Sequence, residues 1–361
     1  MNRSLYLLAA AAACLLSIAK PVNVLAADQF TGAGSSAAAP VYRAWTSEYA
    51  RTGGAGLDYQ AVGSGEGIKR ISAHQVDFGA SDVAPAQDML DRSGLLLVPT
   101  FVTGAVPVIN LPRIASNQLR LTGDVLARIY AGEITRWNAL EISEINPGLA
   151  LPDMAIKLVV RADGSGTTYY FSDYLSSVSP GFASRFGRGT TIKWVEGTVT
   201  AVKGSDGVVA AVKSLPGAIG YVDFNYVADK GLTPVRMQSR DGQFVDASPA
   251  TFREALLNSD WFARGDFHSQ LVNRPGKLSW PITMGTFVLM PRVVESRDGS
   301  TPALRFFVWA LLNGDKLVGS MNFVPLPDKV QALAYKNLSA MIDRNGAPIG
   351  MNALAGAMGA H

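Results

Sequence analysis

The sequence is poor in the residues that carry most covalent and metal chemistry. It holds one cysteine, Cys14, and three histidines, His74, His268 and His361. Cys14 lies inside an apolar N-terminal stretch from Leu5 to Ala19, so a chain processed beyond it has no disulfide, no thiol nucleophile and no cysteine metal ligand. The residues after Cys14 stay apolar where a lipidated terminus leads into a polar tether, which argues against a lipid anchor. His361 ends an Ala/Gly-rich stretch expected to fray, and His74 is expected in a short amphipathic helix with a solvated or core-edge role. A histidine triad or a zinc site is therefore excluded as a leading reading. There is no Gly-x-Ser-x-Gly elbow and no Walker loop ending in Gly-Lys-Ser or Gly-Lys-Thr. Beyond the N-terminal stretch no apolar run is long enough to span a membrane.

Arg3, the short apolar run and the small-residue pattern Val24-Leu25-Ala26 predict a secretory signal at 1–26, cleaved to a chain beginning at Ala27. Export to the periplasm follows, with further secretion left open. Removing Arg3 and Lys20 with the signal leaves 30 basic against 29 acidic residues. That near-neutral balance gives no basic footprint for nucleic acid. The length predicts two domains.

Short apolar strand-like runs alternate with helix-like runs, which predicts an α/β architecture with mainly parallel sheets. Three strand-to-helix passages turn through Gly and Ser. The first is Thr31-Gly-Ala-Gly-Ser-Ser36, followed by Pro40 and then Val41, Ala44, Trp45 and Tyr49 at helical spacing. The second is Gly63-Ser64-Gly65-Glu66-Gly67 before Ile68 and Ile71, and the third is Arg161-Ala-Asp-Gly-Ser-Gly-Thr167 before Phe171, Tyr174 and Leu175. Helix N-termini present unpaired N–H groups and the positive end of the dipole, and glycine lets an anion approach them. One such loop is usually a cap; three, one with an arginine, point to an oxyanion. Gly32-Ala-Gly34-Ser-Ser-Ala37 also fits a loosened dinucleotide pattern, but the other two loops of the same kind argue against it. Thr301-Pro302 and Pro327 open helices expected in the core.

Arg161 offers a planar fork of donors to a tetrahedral oxyanion, and Asp163 is placed to hold that fork; an ordinary surface ion pair is the alternative. Val76-Asp-Phe-Gly-Ala-Ser-Asp82 reads as a buried strand ending where open α/β sheets place ligands. A carboxylate there repels an anion unless the anion has a proton to donate. Monohydrogen phosphate has one and sulfate does not, a difference of at least ~1 to 3 kcal/mol for the opposed acceptors. The alternative is that Asp82 caps the following turn.

These segments, with Leu215-Pro-Gly-Ala-Ile-Gly-Tyr221 and Trp280-Pro-Ile-Thr283, resemble the periplasmic phosphate-binding proteins of bacterial high-affinity phosphate ABC transporters, the PstS family. The resemblance covers nearly all of the chain after the signal. It implies an α/β, two-lobe periplasmic-binding-protein fold, type II-like, with a two-strand hinge and an interlobe ligand cleft. The crossings are expected near Phe101 to Val108 and Thr283 to Met290, with one lobe at 27–104 and 285–350, the other at 105–284, and a flexible tail at 351–361. It further implies binding of inorganic phosphate by Ser36, the N–H of Ala37, Ser64 and Asp82 from one lobe. The other lobe contributes Arg161, Ser165, Gly166 and Thr167, with Asp163 orienting Arg161. No cofactor, no metal and no catalysis are implied, and the partner is an inner-membrane phosphate ABC permease served by a monomer.

Two departures stand out. Ser36-Ala37 replaces the family's Thr-Phe, so a bulky apolar cover is missing, and Glu66 replaces a small neutral residue, pointing either toward the anion or away from it. The competing readings are a secreted phosphatase, a sulfate or molybdate binder, and an extracellular adhesion or signalling protein on the same scaffold.

Overall fold

The computed structural model describes residues 29–195, 197–294 and 300–358. The predicted signal and the start at Ala27 lie outside the described residues. No described helix is long and apolar enough to cross a membrane.

The elements that position the site are strands β1 (Gln29–Gly34), β2 (Gly56–Gln60), β3 (Phe78–Ser81), β4 (Leu95–Ile109), β5 (Lys157–Arg161), β6 (Val199–Val202), β7 (Ala218–Asp223) and β8 (Thr283–Pro291). The helices are α1 (Ala39–Arg51), α2 (Ser64–Ser72), α3 (Gly166–Val178), α4 (Gly204–Ser214), α5 (Phe224–Lys230), α6 (Ser300–Asn313), α7 (Asp328–Ser339) and α8 (Ile349–Met358). They form one path of strands in the order β2-β1-β3-β8-β4-β7-β5-β6. β1 runs parallel to β2 and β3, and β5 runs parallel to β6 and β7, the pattern that strand-helix alternation predicts. β8 is antiparallel to both of its neighbours.

β4 is buried along its whole length and changes partner midway. Leu95 to Gly104 pair with β8, and Ala105 to Ile109 pair with β7. The register with β8 slips between Thr286 and Phe287, which face Phe101 and Pro99. Pro99 lacks an N–H for the ladder, and the irregularity beside it is where a central strand tolerates proline. Thr100, the skipped residue, donates its hydroxyl to Thr286 O at 2.9 Å.

Each half of the sheet has its own aromatic core. On one side Phe78 meets Phe307 edge-on at 4.8 Å, with Phe30, Tyr42 and Phe101 around them; on the other Phe171 stacks on Tyr221 at 4.2 Å. Pro40 sits in the first turn of α1, and Pro302 in that of α6, as the fixed proline φ favours.

Three expectations change. α2 begins at Ser64, so the second Gly/Ser passage is itself the first turn of the helix. His74 lies beyond that helix, exposed, in a turn at φ 54°. The stretch from Met351, expected to fray, is helical to Met358, because Leu354 is buried and α8 packs on α6 and α7. Tertiary packing outweighs the poor helix propensity of its glycines.

A candidate anion site between helix N-termini

Asp82 follows the last residue of β3 and is 2% exposed. Burial raises its pKa from the ordinary aspartate range; hydrogen bonds from Ser35, Thr286 and Ser64, and the charge of Arg161, oppose that rise. Ser35 Oγ lies 2.8 Å from both carboxylate oxygens. Thr286 Oγ1 donates to Oδ1 at 2.9 Å, and Ser64 Oγ to Oδ2 at 3.3 Å. The Asp82 N–H donates back to Ser64 Oγ at 3.1 Å. Thr286 lies on β8, which pairs with β3 and so runs alongside the strand that ends at Asp82.

Arg161 closes β5 with its side chain 2% exposed. Its Nε donates to Asp163 Oδ1 at 2.7 Å and its Nη2 to Oδ2 at 2.5 Å, so Asp163 grips one edge of the guanidinium. Asp163 Oδ1 also accepts from Gly204 N at 3.0 Å. Burial works against this carboxylate, but Arg161 and Gly204 outweigh it, and its pKa is lowered. The remaining nitrogen, Nη1, points to Ser205 Oγ at 3.5 Å.

At the start of α3, Ser165 is the N-cap: its Oγ accepts from Thr168 N at 3.2 Å, and its own N–H donates to Thr190 O at 2.9 Å. The hydroxyl proton of Ser165 is thus the donor left free at this residue. Gly166 packs on the opposite wall, where a Cβ would fall 2.7 Å from Asp82 Oδ2 and 2.8 Å from Ser64 Oγ. Thr167 is buried in the same turn. Gly65 N donates to Gly164 O at 3.2 Å, joining the first turn of α2 to the loop after β5.

Ser36 and Ala37 lie before α1. Ala37 N donates to Ser35 Oγ at 3.1 Å, so Ser35 holds both the start of α1 and Asp82. Ser36 Oγ meets Ser205 Oγ at 3.2 Å, and Tyr226 Oη of α5 donates to Ser36 O at 3.3 Å. Ala37 is buried, as an apolar residue in the core rather than a bulky lid. Glu66 turns outward and pairs with Arg70 Nε at 3.0 Å, which settles its direction as away from the site.

The sequence-predicted residues therefore come together from both halves of the sheet. Ser35, Thr286, Ser205 and Tyr226 join them and were not singled out from sequence. Ser205 had a legible signal, since Lys203-Gly-Ser-Asp-Gly207 after β6 is a fourth Gly/Ser passage into a helix. Neutral hydroxyls, helix N-termini and one guanidinium around a buried acceptor suit a protonated oxyanion. Among the described residues no group of three or more His, Cys, Asp or Glu is placed to hold a metal ion.

A family model described as a PBP superfamily domain matches residues 24–255. The phosphate-binding protein PstS of Xylella fastidiosa is 40% identical over 83% of this chain and 82% of its own length. PstS of Pasteurella multocida is 39% identical, covering 84% of this chain and 88% of itself. The solved structure of a phosphate binding protein from Stenotrophomonas maltophilia superposes with a TM-score of 0.66 at 19% identity, over 91% of this chain and 99% of that one, and so shares its two-lobe fold. The family model and the extent of the relatives' match agree: the chain belongs to the PstS phosphate-binding proteins of the PBP superfamily.

Proposed function

We propose that the protein captures inorganic phosphate between its two lobes and delivers it to an inner-membrane ABC permease, with no catalytic step and no cofactor. The observation that carries this reading is Asp82, a buried acceptor ringed by hydroxyls and facing Gly166 and Arg161. Its ionised form takes a hydrogen bond from an anion that still holds a proton. Arg161 balances the charge, and Ser36, Ser64, Ser165 and Thr167, with N–H groups of Ala37, Gly166 and Thr167, complete the ligand set. For Ala37 this requires its N–H to turn from Ser35 Oγ to the anion, and for Ser64 its hydroxyl proton to turn from Asp82 Oδ2.

We place one lobe at 27–104 and 285–350 and the other at 105–284. The change of partner along β4 between Gly104 and Ala105 supports that division. The donors are split between the lobes, so closure is what satisfies all of the anion's oxygens. A micromolar affinity needs only ~8 kcal/mol net, and several charge-assisted bonds at roughly 1.5 to 3 kcal/mol each supply it after the cost of closure.

Export to the periplasm as a monomer, without nucleic-acid binding, is part of the same reading. Titration of phosphate-stripped protein with phosphate tests it: the native chain binds at micromolar or tighter affinity, and Arg161→Ala loses binding at least tenfold. A chromogenic phosphate ester separates the phosphatase reading; turnover abolished in Arg161→Ala and Asp82→Asn would overturn ours.

A further inference from the structure

We propose that Ser205 is a positioning residue that couples Arg161 to Ser36 across the cleft, through a directed chain of hydrogen bonds ending on the anion. The proposal rests on the phosphate reading above and assigns Ser205 a role within it.

Ser205 lies in the first turn of α4 and is 2% exposed. The helix cap is Lys203, with no side-chain capping bond, so the Ser205 hydroxyl is not spent on its own helix end. Its contacts run to two residues from opposite walls, Arg161 Nη1 at 3.5 Å and Ser36 Oγ at 3.2 Å. Gly204 fixes the turn. Its φ of 68° is one that a side chain rarely adopts, and its N–H is held by Asp163 Oδ1 at 3.0 Å. One carboxylate thereby locks both Arg161 and the loop that carries Ser205.

The direction of the chain follows from chemistry. Arg161 has donors only, so Ser205 Oγ accepts from it. The single Ser205 proton then goes to Ser36 Oγ, which is left with its own proton to give to the anion. Each bond polarises the next, so the guanidinium charge strengthens the donor at Ser36 without touching that side of the ligand. Tyr226 Oη, donating to Ser36 O at 3.3 Å, holds the acceptor end in place from the same lobe as Ser205.

The test is a double-mutant cycle of Ser36→Ala and Ser205→Ala, read by phosphate Kd and dissociation rate, with Ser205→Thr and Ser205→Cys as controls. Ser205→Ala is expected to weaken phosphate about five- to tenfold, mostly through faster dissociation. In the Ser36→Ala background the same change is expected to cost less than twofold, because the chain is already cut. Threonine restores affinity to within about threefold, and cysteine, which keeps the volume but donates weakly, does not. Sulfate rejection stays unchanged, since Asp82 is untouched. Additive losses in the cycle, or full affinity in Ser205→Ala or Ser205→Cys, would overturn the proposal. Absence of phosphate binding in the unaltered protein would instead overturn the functional reading on which it rests.

Discussion

Gly166 and Asp82 press together from opposite walls of the site: a Cβ on Gly166 would fall 2.4 Å from Asp82 Cβ. No side chain fits there without moving the walls apart, because neither the helix start nor the end of β3 is a flexible tip. Gly166→Ala is therefore expected to lower phosphate affinity at least tenfold in a calorimetric titration. Thermal stability without phosphate should fall little, since alanine suits a helix better than glycine and the clash is relieved by opening. Native affinity in this variant would mean that the walls do not meet when the anion is held.

Acidification should admit sulfate. Asp82 has its pKa raised, chiefly by burial, so it takes up a proton at a higher pH than an ordinary aspartate with a value near 3.9. Once protonated it becomes a donor, and an anion without a proton then meets no opposed acceptor. Sulfate affinity should rise as pH is lowered from neutrality through the range in which Asp82 takes up its proton, while phosphate, which keeps a proton, changes far less. Sulfate affinity independent of pH over that range would contradict the assignment of Asp82.

Asp223, at the end of β7, is fully buried, and its pKa is raised well above the ordinary range chiefly by burial, with the Asn225 N–H and the Thr103 hydroxyl opposing and the nearby Asp82 charge adding. A raised folded-state pKa gives stability that is complete below the unfolded value and lost as pH rises through the folded one. Melting temperature should therefore fall as pH rises from the ordinary aspartate range through the raised folded value, and Asp223→Asn should flatten that fall. Parallel curves for the two proteins would show that Asp223 is not the group that titrates.

The local signals in the sequence carried a large part of the candidate site. Arg161, Asp163 and Gly166 sit in one short loop, and their Gly/Ser pattern is visible without knowing what lies opposite. Ser35 was hidden because its role depends on β1 pairing with β3, which brings it to Asp82 from 47 residues away. Thr286 was hidden for a similar reason, since it meets Asp82 from 204 residues away and only the pairing of β8 with β3 brings it there. Ser205 was overlooked although its Gly-Ser-Asp-Gly setting repeats the other three passages. The C-terminal helix was misread because composition alone says nothing of the surface on α6 and α7 that buries Leu354.

The central claim is that Asp82 selects phosphate by accepting its proton. Calorimetric titration of phosphate-stripped protein at neutral pH, with phosphate and then with sulfate, tests it in the native chain and in Asp82→Asn. The account predicts tight phosphate binding and negligible sulfate binding in the native protein, with a gap that narrows by roughly ten- to a hundredfold in the variant. Equal affinities for the two anions in the native protein, or a gap that Asp82→Asn leaves intact, would contradict it.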